Sequence, residues 1–188
     1  MSGPSFLRIA FGGRMQVGKT TAADHLVERH GFVKYALADP IKEIARHDFG
    51  WDGVKDDRGR RLLQEIGDVG RHYDADLWLD RFAARLESDR PPRAVVDDVR
   101  LEREVAHLRS LGFLVLRVVR PVELIPALAS GGSRSAHATE TGLDALELDG
   151  TIDNAGTFDE LYARLDALVE SLERSREDPG GRKPKGPA

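Results

Sequence analysis

Eight residues, Gly13-Arg14-Met15-Gln16-Val17-Gly18-Lys19-Thr20, limit more than any others what this chain can fold into. They satisfy the phosphate-loop (Walker A, or P-loop) pattern at every required position. Glycines let the backbone turn tightly, so that several N–H groups point at phosphate oxygens. A helix beginning near Gly18 adds the positive end of its dipole. Lys19 can reach the β- and γ-phosphates of a triphosphate, and the Thr20 hydroxyl can ligate Mg²⁺. The pattern has meaning only between a strand and a helix, and it lies there. Phe6 to Phe11 is a short, mostly apolar run stopped by Gly12-Gly13, which predicts a buried strand. From Lys19 to His30 the positions Ala22, Ala23, Leu26 and Val27 recur at helical spacing, with Gly31 as the stop. The octad argues for nucleotide binding and says nothing of what accepts a phosphate.

Beyond it, strands and helices alternate. Phe32–Leu37 reads as a strand, and Asp39-Pro40 as a helix start, with Asp39 placed to cap and Pro40 at the first helical position. Residues 58–90 are helical twice over. Leu62, Leu63 and Ile66 share one face; Leu77, Leu79, Phe82, Ala83 and Leu86 share another. Gly67 and Gly70 weaken the case for one unbroken helix there. Ala94–Asp97 is a compact strand, Leu101–Leu111 a helix, and Phe113–Val119 a strand ended by Pro121. A short strand near Thr151-Ile152 and an amphipathic helix, Phe158–Leu172, close the domain. Repeated β-α units with long connections predict a parallel α/β sheet flanked by helices. From Ser175 onward the apolar content is too low to fold, which predicts a disordered tail over 175–188.

The 188 residues suit one domain, here 1–174. A net charge of −4 argues against a nucleic-acid coat protein but allows a local basic pocket. The absence of cysteine excludes disulfides and thiolate chemistry. No apolar run approaches the roughly 18 residues of a membrane span, and the N-terminus lacks a signal-peptide pattern. A cytoplasmic location is the simplest reading, in the bacterial host cytoplasm if the chain is phage-encoded. Monomer and homodimer both stay open.

Several further segments are similar to the bacteriophage deoxynucleoside monophosphate kinases, a branch of the P-loop kinases. They are Ala38-Asp39-Pro40-Ile41-Lys42, Arg60 to Gly67, Asp76-Leu77-Trp78, Asp98-Val99-Arg100, His137 to Thr141 and Asp153 to Thr157. Their order and spacing carry the resemblance, which runs from the P-loop to the last helix. It implies a three-layer fold on a five-stranded parallel sheet of order 2-3-1-4-5. A helical acceptor-binding insert would span about 38–90, and a lid about 121–139. It also implies ATP as donor, Mg²⁺, and a nucleoside monophosphate as acceptor. In two places the chain departs from the family: Thr20 stands where many relatives carry Asp, and Leu101 and Arg103 stand where they often show an aromatic residue and Asn.

Phosphoryl transfer depends on positioning and charge neutralisation, so cations around two phosphate groups matter most. The expected donor set is Gly13, Arg14, Gln16, Val17, Gly18, Lys19, Thr20 and Thr21, with Thr20 at the metal. The resemblance adds Asn154 and Gly156 near the adenine, although an Asp-Asn-Ala-Gly turn explains them equally well. For the acceptor the expected set is Asp39, Lys42, Arg61, Gln64, Trp78, Asp98 and Arg100, with Tyr73 a further candidate to stack on a base. Lys42 could as well be a solvated helix charge, Trp78 a core residue, and Asp97 or Asp98 the cap of the next helix. Lys19, Arg100, Arg120 and Arg134 are the expected catalytic cations, Arg134 lying in a glycine- and serine-rich stretch that reads as a lid. His137 and Glu140 match the family without a derived role. A kinase for another phosphorylated acceptor, such as phosphomevalonate or dephospho-coenzyme A, stays open, and so does a nucleotide-dependent switch.

Overall fold

The computed structural model of the protein describes residues 6–125 and 146–177. β1 (Leu7–Gly12) runs into the octad and then into α1 (Lys19–His30), which ends where the spacing predicts, on Gly31 at φ 67°. There follow β2 (Val33–Tyr35), α2 (Asp39–Phe49), α3 (Asp57–Tyr73), α4 (Leu77–Asp89) and β3 (Arg93–Val99). α5 (Glu102–Ser110), β4 (Leu114–Val119), β5 (Gly150–Asp153) and α6 (Phe158–Glu177) complete the order. The five strands form one parallel sheet in the order β2-β3-β1-β4-β5. The expected order holds.

Alternation along the central strands divides the core into two layers. Ile9 and Phe11 of β1 and Val95 of β3 face Ala22, Ala23 and Leu26 of α1 and Leu161, Leu165 and Val169 of α6. Ala10, Ala94 and Val96 face the other way, onto Leu79, Phe82 and Leu86 of α4 and Val105 and Leu108 of α5. Ile9 lies opposite Val95 on one side and Leu114 on the other. The β1–β3 register slips between Ala10 and Gly12, so β1 is irregular just before the phosphate loop. No helix among the described residues is long and apolar enough to cross a membrane.

Three expectations need correction. β2 is shorter than Phe32–Leu37, because the N–H groups of Leu37 and Ala38 turn to the Asp98 carboxylate instead of a neighbouring strand. Asp39 does not cap α2; it is the first helical residue, and its carboxylate reaches back to the Ala36 N–H at 2.8 Å. α6 continues to Glu177, three residues into the stretch read as tail. A Glu170–Arg174 pair, an Arg93–Glu173 pair and a Ser175 hydroxyl bonded to the Ser171 carbonyl support that extra turn.

The two helices expected over 58–90 are there; the break falls at 74–76, and α3 passes unbroken through Gly67 and Gly70. Trp78 is the reason. It is 7 % exposed, and its Nε1–H donates to the Gly67 carbonyl at 3.0 Å. A Cβ on Gly70 would overlap the indole. The glycines give α3 a notch into which α4 inserts its tryptophan. The expected lid begins in a 3-10 turn, Val122–Leu124, and the rest of it, with Arg134, His137 and Glu140, lies outside the described residues.

Gly70→Ala is expected to lower stability by about 1–3 kcal/mol through overpacking, offset by roughly 1 kcal/mol of improved helix propensity. At Gly67 a Cβ would meet only the guanidinium end of Arg71 at 3.0 and 3.3 Å and Ile41 at 3.4 Å. Gly67→Ala should therefore be neutral or slightly stabilising. Urea melts of both variants decide the point; equal losses would rule out the Trp78 notch as the cause.

Candidate active site

The loop between β1 and α1 reverses hand repeatedly. Gly13 takes φ 134° and Gly18 φ 100°. A Cβ on Gly13 would stand 2.6 Å from the Val118 carbonyl, and one on Gly18 would overlap the Asn154 amide. Gln16 adopts φ 64° without being glycine, a conformation that costs an L-residue roughly 1–2 kcal/mol. α1 opens with no side-chain cap and no acidic residue in its first turn. The N–H groups of that turn have no acceptor within the helix, so the loop and helix start form a receptor for an anion. Lys19 Nζ donates to the carbonyls of Gly13 at 2.8 Å and Arg14 at 2.6 Å. Thr20 is exposed in the first turn.

Asn154 braces this loop from beneath. Its backbone N–H donates to the Val119 carbonyl and its Nδ2 to the Val17 carbonyl, both at 2.8 Å. Among the described residues it is the one polar side chain in the fully buried class, at 2 % exposure. An amide so placed and so bonded supports the phosphate loop and is not presented to a base. Gly156 likewise serves local structure. Thr157 and Glu160 form a capping box at the start of α6, with the Thr157 N–H donating to Glu160 Oε2 at 2.8 Å and the Glu160 N–H to Thr157 Oγ1 at 3.3 Å. A Cβ on Gly156 would overlap that carboxylate. The Thr-x-x-Glu spacing was the signal for this.

Two pockets flank the loop region. One, of about 330 Å³, is lined by Gly13, Arg14, Val17 and the end of β4 from Arg117 to Arg120. Arg120 Nε is buried there without a hydrogen-bond partner among the described residues. Arg117, which sequence reasoning missed, donates to the Leu146 carbonyl at 2.6 Å. It faces the pocket through the same alternation that buries Val118.

The other pocket, of about 170 Å³, opens at the end of β3 among α2, α3, α4 and the start of α5. Asp98, Arg100 and Trp78 line it, as expected, together with Ala38 beside Asp39. Arg71, Arg103 and Glu104 also line it and were missed. Arg103 and Leu101 occupy the positions where the chain departs from the family. Arg71 stands four residues beyond Gly67, on the glycine face of α3 that meets the other helices. Arg61, Gln64 and Tyr73 are exposed on α3 and do not line this pocket; Tyr73 is 85 % exposed.

Asp98 is committed before any ligand arrives. Its oxygens accept from the Leu37 N–H at 2.9 Å and the Ala38 N–H at 3.1 Å, tying β3 to the start of α2. Burial pushes its carboxyl above the ordinary aspartate range; those two N–H groups pull the other way, and the nearby Asp97 adds to the rise. Neither Asp97 nor Asp98 caps α5. Glu104 does, accepting from the N–H groups of Arg100 at 2.6 Å and Leu101 at 2.9 Å. Burial raises the Glu104 carboxyl as well, against the pull of those two N–H groups. Asp97 pairs with Lys34 at 2.9 Å, away from this pocket. Lys42 is no solvated helix charge: it pairs with Asp39 at 2.8 Å and lowers the cost of charge on Asp98.

A family profile described as deoxynucleotide monophosphate kinase matches residues 58–165. Uncharacterized protein ORF77 of Ictalurid herpesvirus 1 (strain Auburn) is 30 % identical over 139 residues, 72 % of this chain and 58 % of its own length. The deoxynucleotide monophosphate kinase of Enterobacteria phage T4 is 30 % identical over 123 residues, 60 % of this chain and 46 % of its own. The chain thus matches about half the length of these two relatives. A sugar kinase from Janibacter sp. HTCC2649 superposes with a TM-score of 0.53 at 18 % identity, covering 88 % of this chain and 95 % of its own, a likeness of fold.

Asn154→Ala leaves the buried Val17 carbonyl without its donor, which costs about 1–3 kcal/mol. It is expected to weaken binding of a nucleoside triphosphate, the ligand that the phosphate-loop pattern predicts. Melting curves with paired titrations test this, and an unchanged triphosphate affinity would remove the brace. The raised Asp98 carboxyl fixes a sign for pH. Its folded pKa lies above its unfolded one, so its contribution to stability is full below the ordinary aspartate value. That contribution is lost as pH rises through the folded value. Asp98→Asn lacks this decline, so the stability of the wild type relative to the variant should fall from about pH 4 upward. Urea melts across that range would show instead a flat or rising difference if burial did not dominate.

Proposed function

This chain belongs to the deoxynucleotide monophosphate kinase family, and from that premise we propose that it transfers the γ-phosphoryl group of ATP to a deoxynucleoside monophosphate, giving ADP and the diphosphate. The observation that carries the reading is the pairing of two unlike pockets at the carboxyl ends of parallel strands, where open α/β sheets bind ligands. One is built on the phosphate loop; the other, across the end of β3, is lined by Arg71, Arg100 and Arg103. A nucleotide switch needs no second cationic pocket. A kinase with a phosphorylated acceptor does.

The residues fit the donor and its metal. The cradle is glycine where a Cβ would collide, and the first turn of α1 carries no acidic side chain to repel phosphate. Thr20, exposed in that turn, would hold Mg²⁺, which would supply neutralising charge to the phosphates when bound. Lys19 now donates to two loop carbonyls, which hold its ammonium beside the cradle and poised to turn to the phosphates. Arg14, Arg117 and Arg120 place positive charge along the donor pocket. The unsatisfied Nε of Arg120 becomes satisfied when a phosphate oxygen reaches it.

On the acceptor side Arg100 is exposed, and its backbone is held by Glu104. Its guanidinium clamps the acceptor phosphate, with Arg103 and Arg71 beside it. Trp78 forms part of the apolar wall, its indole fixed by Gly67. Asp98 positions the turn into α2, and each of its oxygens keeps a further acceptor position for a sugar hydroxyl. Arg134 is assigned to the lid by resemblance. No covalent intermediate is required, because the two pockets align the reacting groups and their arginines neutralise the charge.

Lys19→Ala should cut ADP release by roughly a hundredfold to a thousandfold or more while the circular-dichroism spectrum stays unchanged. Near-wild-type turnover in the folded variant would sink the phosphate-loop assignment. Arg100→Ala should raise KM for the acceptor on the order of 10- to 100-fold, the loss of one charge-assisted contact, with KM for ATP little altered. Running the wild-type chain against the four deoxynucleoside monophosphates, phosphomevalonate and dephospho-coenzyme A identifies the acceptor directly.

A further inference from the structure

We propose that His25, His30 and Asp166 form a site for a first-row divalent transition ion, with Zn²⁺ the best fit, between α1 and α6. None of the three lines either pocket. His25 Nε2 stands 2.7 Å and His30 Nε2 2.6 Å from the same Asp166 Oδ1, and the three ligand atoms all lie within 4.8 Å of one another. Helical periodicity does not explain this convergence. At 3.6 residues per turn, side chains five apart point roughly 140° away from each other. The two imidazoles are drawn together by a carboxylate from another helix.

The surroundings suit an ion. The His25 ring is stacked on Tyr162, with centroids 4.1 Å apart and planes 4° from parallel, which fixes its orientation. The imidazoles are sheltered, at 12 % and 16 % side-chain exposure, while Asp166 at 34 % leaves an approach from solvent. Arg93 donates to the His30 carbonyl at 2.8 Å, but its charge is already met by Glu173 at 2.6 Å. Two imidazoles and one carboxylate suit zinc-like ions and not Mg²⁺, whose ligands are oxygens. The site is therefore chemically distinct from the one at Thr20.

At zinc–ligand distances near 2.1 Å, tetrahedral neighbours stand roughly 3.3 Å apart. One carboxylate oxygen now serves two imidazoles. An ion taking their place opens each spacing by about 0.7 Å, within the reach of side-chain rotation. Each neutral imidazole binds through Nε2 with its proton on Nδ1, the carboxylate is ionised, and water takes the fourth position. Three protein ligands make this weaker than a closed four-ligand site. Its effect is to staple the helix that begins at the phosphate loop to the last helix of the domain.

The test uses the full chain, freed of metal and nucleotide, titrated with Zn²⁺ and separately with Co²⁺ as a spectroscopic probe. Binding in the micromolar range is expected, with a rise in melting temperature on adding Zn²⁺ and the strong visible absorption of tetrahedral Co²⁺. His25→Gln and His30→Gln should each weaken Zn²⁺ binding at least about tenfold and abolish the melting shift, while turnover with Mg²⁺ and ATP is retained. Two separate variants keep the test open if one of them folds poorly. Binding that is equal in wild type and both variants, or a Co²⁺ spectrum of octahedral type, would overturn the site and leave a hydrogen-bonded clasp.

Discussion

The hydrogen bond from the Asn154 side chain to the Val17 carbonyl holds the phosphate loop against the sheet, and the geometry of the whole donor side depends on it. Five or six loop residues with left-handed turns have little reason to keep one shape unaided. Here the loop is pinned from below by an amide at the end of β5. It is limited from the side by the Val118 carbonyl, which leaves no room for a Cβ on Gly13. Both contacts come from strands on the same side of β1, since β4 and β5 follow it in the sheet. The sheet order thus acts directly on the chemistry: it delivers an acceptor and a donor group to opposite ends of one loop.

The other side of β1 builds the second pocket by the same means. β3 ends beside β1, and Asp98 spends its two oxygens on the N–H groups of Leu37 and Ala38. That bond starts α2 at the pocket rim and leads the chain into the three helices that wall it. Burial opposes the negative charge on Asp98, and the two N–H groups with Lys42 only partly compensate. Charged pairs around it are sorted by face. Asp97 keeps Lys34, whose ammonium is disfavoured by burial but held above the ordinary lysine value by Asp24 and Asp97. Of the arginines lining the pocket, Arg71 pairs with Asp68 at 2.7 Å.

The fold was legible because its signals are local. Helical spacing in α1, the short apolar runs around Ile9 and Val95, and the octad itself each report on neighbours within a turn or a strand. The pocket at the end of β3 was legible only in part. Asp98 and Arg100 were readable from the resemblance and their place near a strand end, and Trp78 from the resemblance and its aromatic face. Arg71 and Arg103 look like any other helix-surface arginines until α3 and α5 are packed. Gly67 and Gly70 weakened the case for one helix over 58–90, and two are found, but the break lies at 74–76 and a tryptophan fills the notch the glycines leave. Asn154 and Gly156, expected near the adenine, each have a structural role of their own. One braces the loop, and the other clears space for a capping box.

By itself the sequence determined that β1, the phosphate loop and α1 follow one another, because a glycine-framed loop between a buried strand and an amphipathic helix has few other conformations. It also determined the alternation of elements that leads to a parallel sheet. Only the tertiary structure decided which groups meet. Val17 and Asn154 are 137 residues apart, Leu37 and Asp98 are 61 apart, and His30 and Asp166 are 136 apart. No local preference encodes such pairs. They arise when packing brings distant segments together, the first two at the carboxyl ends of strands and the third between α1 and α6, where a polar group left without a partner costs free energy.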